Sequence, residues 1–470
     1  MFTTAVYAQR REKLKHQLKT GVILLPGNKE SSMNYLHNFY PFRQDSTFLY
    51  FTGLDVPDIV SIIDIDHNRE ILFGDELTVE DMVWTGHRKS VREMADDAGI
   101  ATVEPLKNMD PWLKRALAAN RQIHYLPPYR PGQTMQLGEW LQIPLEAVAH
   151  RTSVPFIRAV VAQRSVKTEE EIAQIERAIN TTNAMQLLAM QAGRAGANET
   201  EIAGRLQGLA ISAGGDLSFP TILTVNGQIL HNHYGNNVVH NGQLLLCDCG
   251  AETAMHYAGD LTRTFPVSGK FTTQQKEIYD IVLSAHEAAL GALQPGVLYK
   301  DVHLLACRKI AEGLKMLGIM KGDTETAVQE GAHAVFFPCG LGHMLGLDAH
   351  DMENLGEEYV GYTGTLTKST QFGLKSLRLG RALEEGFVLT VEPGIYFNHL
   401  LSDEWQAKGL HTNFICYDKL DQYKNMGGIR VEEDVLITKT GKRILGEPLA
   451  KTTADIEAIA ADRRSLIAQS

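Results

Sequence analysis

Apolar positions along the chain follow two kinds of pattern, and these separate an N-terminal from a C-terminal part. In the first part, short apolar runs are interspersed with helical periodicities. Residues 8–18 are basic and helical in character. Val22-Ile23-Leu24-Leu25 reads as a buried strand closed by Pro26-Gly27, and Phe48-Leu49-Tyr50-Phe51, ended by Gly53, reads as another. Ile59 to Ile65 and Ile71-Leu72-Phe73 flank Asp66-His67-Asn68, which predicts a hairpin. Helices are predicted near 89–98, 110–119 and 134–142. This part carries no cluster of metal-ligating or nucleophilic type.

A different pattern begins near residue 165. Thr168-Glu169-Glu170-Glu171 is a capping box, with Ile172, Ile175 and Ile179 following at helical spacing. A second helix runs from about Glu199 through Ile202, Leu206 and Leu209 to a Gly214-Gly215 stop. Strands are predicted at 221–226, 243–249, 260–265, 387–396 and 428–437, and helices near 273–292 and 299–317. Strands and helices do not alternate strictly, which favours an α+β fold over a doubly wound parallel sheet. The polar, basic segment 359–381 (Lys368, Lys375, Arg378, Arg381) reads as a surface excursion.

Composition narrows the class. A chain of 470 residues is too long for one ordinary core and implies at least two domains, here 1–165 and 166–470. Apolar residues at 44% and charged residues at 21% suit a soluble globular protein. The net charge of -11 argues against nucleic acid or an anionic membrane as partner, because both favour basic patches. Five cysteines, Cys247, Cys249, Cys307, Cys339 and Cys416, fit neither a zinc ribbon nor a disulfide scaffold and point to a reducing compartment. The N-terminus has no apolar signal core and no run is long enough to span a bilayer, so a cytoplasmic location is expected.

The informative feature is the presence of acids inside strongly apolar strands, because burying an unpaired carboxylate is very costly. Asp248 ends the run Leu244-Leu245-Leu246-Cys247 and shares a face with Leu244 and Leu246. Asp260 opens a stretch in which it shares a face with Thr262 and Thr264. The intervening chain is long enough for a turn and a return strand, which would set the two aspartates side by side. His343 has small or flexible neighbours on both sides, inviting close approach of another backbone or a ligand. Glu392 ends a run of β-formers and is held extended by Pro393. Arg430, Glu432 and Asp434 share one face, with Ile429, Val431, Val435 and Ile437 on the other. Carboxylates with one imidazole suit hard or borderline divalent ions, Mn2+ first and Co2+ or Zn2+ as alternatives. Two such ions about 3.5–4 Å apart would polarise a carbonyl and generate hydroxide at neutral pH.

The order Asp248, Asp260, His343, Glu392, Glu432 resembles the five-ligand set of the pita-bread metallopeptidases, which include aminopeptidase P, prolidase and methionine aminopeptidase. YAGDLTRTFPVSGKFT (257–272), LGLDAHD (345–351), VLTVEPGIY (388–396), GIRVEEDVLIT (428–438) and RQDSTFLYFTG (43–53) are most similar to the aminopeptidase P branch. The resemblance implies a creatinase-like N-terminal α/β domain followed by a pita-bread catalytic domain. It implies Asp248 on one metal, His343 and Glu392 on the other, and Asp260 and Glu432 bridging. Glu392 would also move the proton towards the leaving proline nitrogen. His350 would hold or polarise the scissile peptide, and His233, in an HNHY context, would lie near the substrate. Thr262, Tyr396 and Arg430 would orient the carboxylates.

The expected activity is hydrolysis of the N-terminal Xaa-Pro bond of a peptide with proline at its second position. The alternatives are a prolidase restricted to dipeptides and, from another class, a non-catalytic pita-bread binding module. A homo-oligomer, dimer or tetramer, is expected. The chain departs from the family pattern at Cys339, where aminopeptidase P often carries histidine; this alters a contact on the substrate side. The Asp248–Asp260 interval is one residue longer than the usual bacterial form, and 356–385 and 397–427 are longer than in compact bacterial enzymes.

Overall fold

The computed structural model describes residues 1–461 and divides into two compact units. One unit comprises 1–164 together with 354–359, the other 165–353 and 360–470.

The first unit is built on a five-stranded sheet in the order β4-β3-β2-β1-β5. Its strands are β1 (Val22–Pro26), β2 (Val60–Asp64), β3 (Arg69–Phe73), β4 (Thr102–Glu104) and β5 (Ile123–His124). The predicted hairpin is present as β2–β3, paired antiparallel with Ile62 opposite Ile71, and Asn68 turns it in the left-handed region at φ 47°. One sheet face packs Val22, Leu24, Ile62, Ile71 and Phe73 against Leu113, Leu137 and Trp140 from the helices.

The run 48–51 is not a strand but part of a helix, Ser46–Thr52. Asp45 accepts a hydrogen bond from the Phe48 N–H, and Gly53 ends the helix in the left-handed region at φ 71°. All seven residues are buried, so no amphipathic period distinguishes this helix from a buried strand.

The second unit holds four small sheets. They contain β6 (Asp216–Leu217), β7 (Ile222–Thr224), β8 (Leu244–Cys249), β9 (Ala251–Glu252), β10 (Leu261–Pro266), β11 (Val388–Val391), β12 (Gly394–Tyr396), β13 (Gly428–Arg430), β14 (Glu433–Thr438) and β15 (Gly441–Ile444). The pairings are β10-β8-β7, β11-β14-β15, β12-β13 and β6-β9. Helices Glu169–Ala192, Thr273–Ala292 and Tyr299–Met316 stand near their predicted limits. The mixed, non-alternating content agrees with the α+β expectation.

Two strands expected to be continuous are interrupted. The run 387–396 breaks between β11 and β12 at Glu392-Pro393, and 428–437 breaks between β13 and β14 at Val431-Glu432. Proline has no N–H for the ladder, so the first break is local in origin. Segment 359–381 is also not a mere surface excursion. Val360, Tyr362, Leu377 and Leu379 are buried, and the Tyr362 hydroxyl donates to the Leu377 carbonyl at 2.7 Å.

The capping box is formed as read. Thr168 Oγ accepts from the Glu171 N–H at 3.4 Å, and Glu171 Oε2 accepts from the Thr168 N–H at 3.0 Å. Thr168→Ala is expected to cost about 1 kcal/mol of stability, read as a lower urea midpoint with an unchanged denaturant slope.

Candidate metal centre

Each predicted ligand is delivered by a strand or a strand break. In β8 and β10 the register places Asp248 opposite Thr262, so Asp260 lies just beyond the ladder rather than beside Asp248. The two aspartates are diagonal neighbours on one face. The longer interval between them is taken up by β9 and an ordered turn, in which His256 adopts φ 63° and its ring bonds Glu252 at 2.6 Å. The close approach inferred at His343 is made by strand β11: a Cβ added at Gly342 would stand 2.1 Å from the Thr390 carbonyl oxygen. That contact lets the His343 N–H donate to Thr390 Oγ1 at 3.2 Å and the Glu392 N–H to the Leu341 carbonyl at 2.8 Å.

The side chains converge. Ligand atoms of Asp260, His343 and Glu432 all lie within 4.8 Å of one another. His343 Nε2 is 3.5 Å from Asp260 Oδ2 and 3.4 Å from Glu392 Oε1. His343 Nδ1 is 3.1 Å from the Met344 carbonyl, which fixes the proton on Nδ1 and leaves the Nε2 lone pair facing the acids. Asp248 pairs with Arg430 through one oxygen, while its Oδ1 is buried without a partner.

A scaffold of hydrogen bonds aims these groups. The Thr262 hydroxyl donates to Glu432 Oε2 at 2.6 Å and accepts from Arg430 Nε at 3.0 Å. Arg430 Nη1 donates to the Tyr396 hydroxyl at 2.9 Å. Asp434 accepts from the Asp260 N–H at 2.9 Å. Behind them the buried Arg263 donates to the Glu432 carbonyl at 2.6 Å and to the Glu433 carboxylate, fixing the backbone at the break before β14.

The electrostatics are unbalanced in favour of a cation. Burial, and then the charges of Glu432 and Asp248, push the Asp260 carboxyl well above its usual range. Burial followed by Glu392 does the same to Glu432, and burial is also the main cause of the upward shifts at Glu392 and Asp434. Burial drives His343 well below the usual histidine range, so its imidazole is neutral. These acids and Asp248 face the guanidinium of Arg430, with that of Arg378 acting on Glu392, and the two cannot neutralise them all. An oxygen-rich, acid-crowded site with an orphaned carboxylate oxygen and an aimed imidazole lone pair fits divalent cations.

The structure also places the remaining predicted residues. The His350 ring lies 4.2 Å, centroid to centroid, from that of His343. Its Nδ1 bonds Glu353, which Arg378 Nε approaches at 3.3 Å. The His350 bond, then the Arg378 charge, holds Glu353 at about 2 despite partial burial. Cys339 is pushed up to about 12, by burial first and then by the charge of Glu392, so its thiol is neutral. His233 is exposed. His231, two residues earlier, is exposed as well; its pKa is lowered by partial burial and then by Arg378 and Arg430, with Asp248 acting oppositely. Sequence reasoning also missed Glu353, Arg378 and Arg263 as supporting groups. The signal for Arg263 was a cation inside a strand, between Thr262 and Thr264.

Comparison with known proteins gives the class. The family model for metallopeptidase family M24 matches residues 173–439, and that for the aminopeptidase P N-terminal domain matches residues 7–124. The chain belongs to metallopeptidase family M24 and has the two-domain aminopeptidase P fold, an N-terminal domain followed by a pita-bread domain. It is a hydrolase of the metallopeptidase class. A probable Xaa-Pro aminopeptidase of Podospora anserina is 33% identical over 91% of this chain and 90% of its own length. The human Xaa-Pro dipeptidase is 29% identical over 97% of this chain and 93% of its own. Escherichia coli aminopeptidase P, solved in complex with substrate, matches with TM-score 0.80 and 30% identity over 99% of both chains.

The raised carboxyl groups give a pH dependence with a definite sign. A folded-state pKa above the unfolded value stabilises at low pH and loses that contribution as pH rises through the folded value. Metal-free protein is therefore expected to lose stability, relative to metal-loaded protein, as pH rises from about 4 to 8. Thermal melts with chelator and with added divalent ion across this range check it; parallel curves would refute the assignment.

Proposed function

We propose that this protein is a dinuclear-metal Xaa-Pro aminopeptidase that hydrolyses the first peptide bond of substrates with proline at the second position. The observation that carries the proposal is the convergence of Asp260, His343 and Glu432 donor atoms, flanked by Asp248 and Glu392, in a pocket whose acids outnumber the cationic partners. The relatives named for Xaa-Pro aminopeptidase activity support the substrate class.

In this reading Asp248 binds one ion, His343 and Glu392 bind the other, and Asp260 and Glu432 bridge. The bound ions supply Lewis acidity and an activated nucleophile. Manganese is the metal we assign, because four carboxylates and one imidazole make an oxygen-rich donor set. Glu392, at the strand break, takes the proton of the attacking water and delivers it to the leaving proline nitrogen. His350, its Nδ1 held by ionised Glu353, stabilises the negative charge that develops on the carbonyl oxygen. Thr262, Arg430 and Tyr396 keep the carboxylates aimed. The neutral thiol of Cys339 contributes a small contact on the substrate side and no nucleophile.

A second reading, an Xaa-Pro dipeptidase, is supported by the human dipeptidase covering 97% of this chain. The metal chemistry is common to both. Incubation with Ala-Pro and Ala-Pro-Ala separates them: cleavage of the tripeptide is expected, and cleavage of the dipeptide alone selects the second reading. A non-catalytic binding module would cleave neither peptide and bind no metal.

We also assign a reducing, cytoplasmic location, supported by five free cysteines, including Cys247 and Cys249, whose sulfurs lie 3.8 Å apart as a thiol hydrogen bond and not a disulfide. Among the described residues no helix is long and apolar enough to cross a membrane. We further expect a homo-oligomer; the exposed apolar side chains of Val79, Val83 and Trp84 support an association surface.

Glu392→Ala is expected to abolish turnover and to weaken one of the two metals, measured by peptide hydrolysis and metal content. His350→Ala is expected to keep both metals and lower kcat roughly a hundredfold. Loss of metal in His350→Ala would overturn its role.

A further inference from the structure

A second group of metal-ligating side chains lies outside the catalytic set. His303 and Cys307 are spaced i, i+4 on one face of the helix Tyr299–Met316, and His333 joins them from the short 3-10 turn Ala332–Val335. All three are buried, His303 and Cys307 at 0% exposure and His333 at 3%. One donor atom from each lies within 4.8 Å of the other two.

We propose that His303, Cys307 and His333 form a separate transition-metal site that takes Zn2+ through two imidazole nitrogens and one thiolate. The Cys307 Sγ to His303 Nε2 separation is 3.4 Å. Zinc–sulfur and zinc–nitrogen bonds of ordinary length at a tetrahedral angle span about 3.5 Å between the two donors. The helix thus already sets one edge of a zinc tetrahedron.

The ring nitrogens call for a partner. Both nitrogens of His333 and Nδ1 of His303 are buried without a hydrogen-bond partner. Buried polar atoms are almost always paired; His303 Nε2 already faces Cys307, and an ion between them gives one His333 nitrogen the partner it lacks. Packing alone would favour an apolar side chain there, as Phe337 against His303 illustrates, with ring centroids 5.5 Å apart.

Donor chemistry separates this site from the catalytic one. The catalytic ligands are carboxylates with one imidazole, whereas this set has no carboxylate and includes a sulfur. Thiolate with imidazole selects zinc over manganese, magnesium or calcium. Three protein ligands leave one tetrahedral position for water. Binding releases the Cys307 proton to solvent, with no change of oxidation state. This inference does not depend on the peptidase reading.

Cobalt substitution of the full-length protein tests it. No catalytic ligand is a thiolate, so a thiolate-to-cobalt charge-transfer band in the near ultraviolet reports a cysteine ligand. After chelation and Co2+ loading, the expected result is that band, with one bound ion per chain beyond the catalytic pair. Cys307→Ser loses the band and that one ion, whereas Cys339→Ala keeps both. Peptide hydrolysis measured in parallel follows the catalytic pair, so the two assignments fail independently. Absence of the band in wild-type protein with a loaded catalytic pair overturns the proposal without any variant. So does a band lost in Cys339→Ala and kept in Cys307→Ser.

Discussion

The catalytic unit is organised around a charge imbalance. Asp248, Asp260, Glu392, Glu432 and Asp434 share one buried region with the guanidinium of Arg430 and a neutral imidazole. Like charges at such distances repel strongly in a low-dielectric interior. Without cations, burial first and then this repulsion favour the protonated carboxyl groups, which is the upward shift at Asp260, Glu392, Glu432 and Asp434. With cations they can ionise and act as ligands. The same crowding makes the apo site unfavourable and the loaded site suited to activating a nucleophile at neutral pH.

The fold's contribution is to hold acids together that would otherwise separate. It does so with backbone geometry as much as with side chains. Glu392 and Glu432 sit where strands are interrupted, so each carboxylate leaves its ladder and turns towards the acid cluster around His343. Gly342 admits the β11 backbone against the His343 loop, a contact no Cβ would permit. Arg263 then locks the second break by donating to four backbone carbonyls, those of Thr262, Glu432, Leu449 and Ala450, and to the Glu433 carboxylate. Support of this kind keeps ligands within the narrow range a metal tolerates.

A second layer of polar groups surrounds His350. Glu353 and Arg378 orient His350, and Lys167 makes a buried ion pair of 2.8 Å with Asp351, the next residue in the chain. Arg378 belongs to a segment whose polar sequence suggested solvent exposure. Its neighbours Leu377 and Leu379 are buried and anchor it. Cys339 stands in the same region with a neutral thiol, where related enzymes often place an imidazole.

The sequence alone determined the class of chemistry. Acids in apolar strands are so costly that their presence at Asp248, Asp260, Glu392 and Glu432 implied a shared counter-charge. Helix limits set by local capping, as at Thr168, were also legible, because those bonds span only three residues. What remained hidden depends on contacts far apart in the chain. The helix at Ser46–Thr52 is buried on every side and carries no periodic signature. The diagonal placement of Asp248 and Asp260 follows from strand register. The meeting of His333 with His303 and Cys307 follows from how the backbone folds back on itself. Spacing along a chain constrains neighbours within a turn or a ladder; only tertiary packing decides which distant side chains come within a few ångströms of one another.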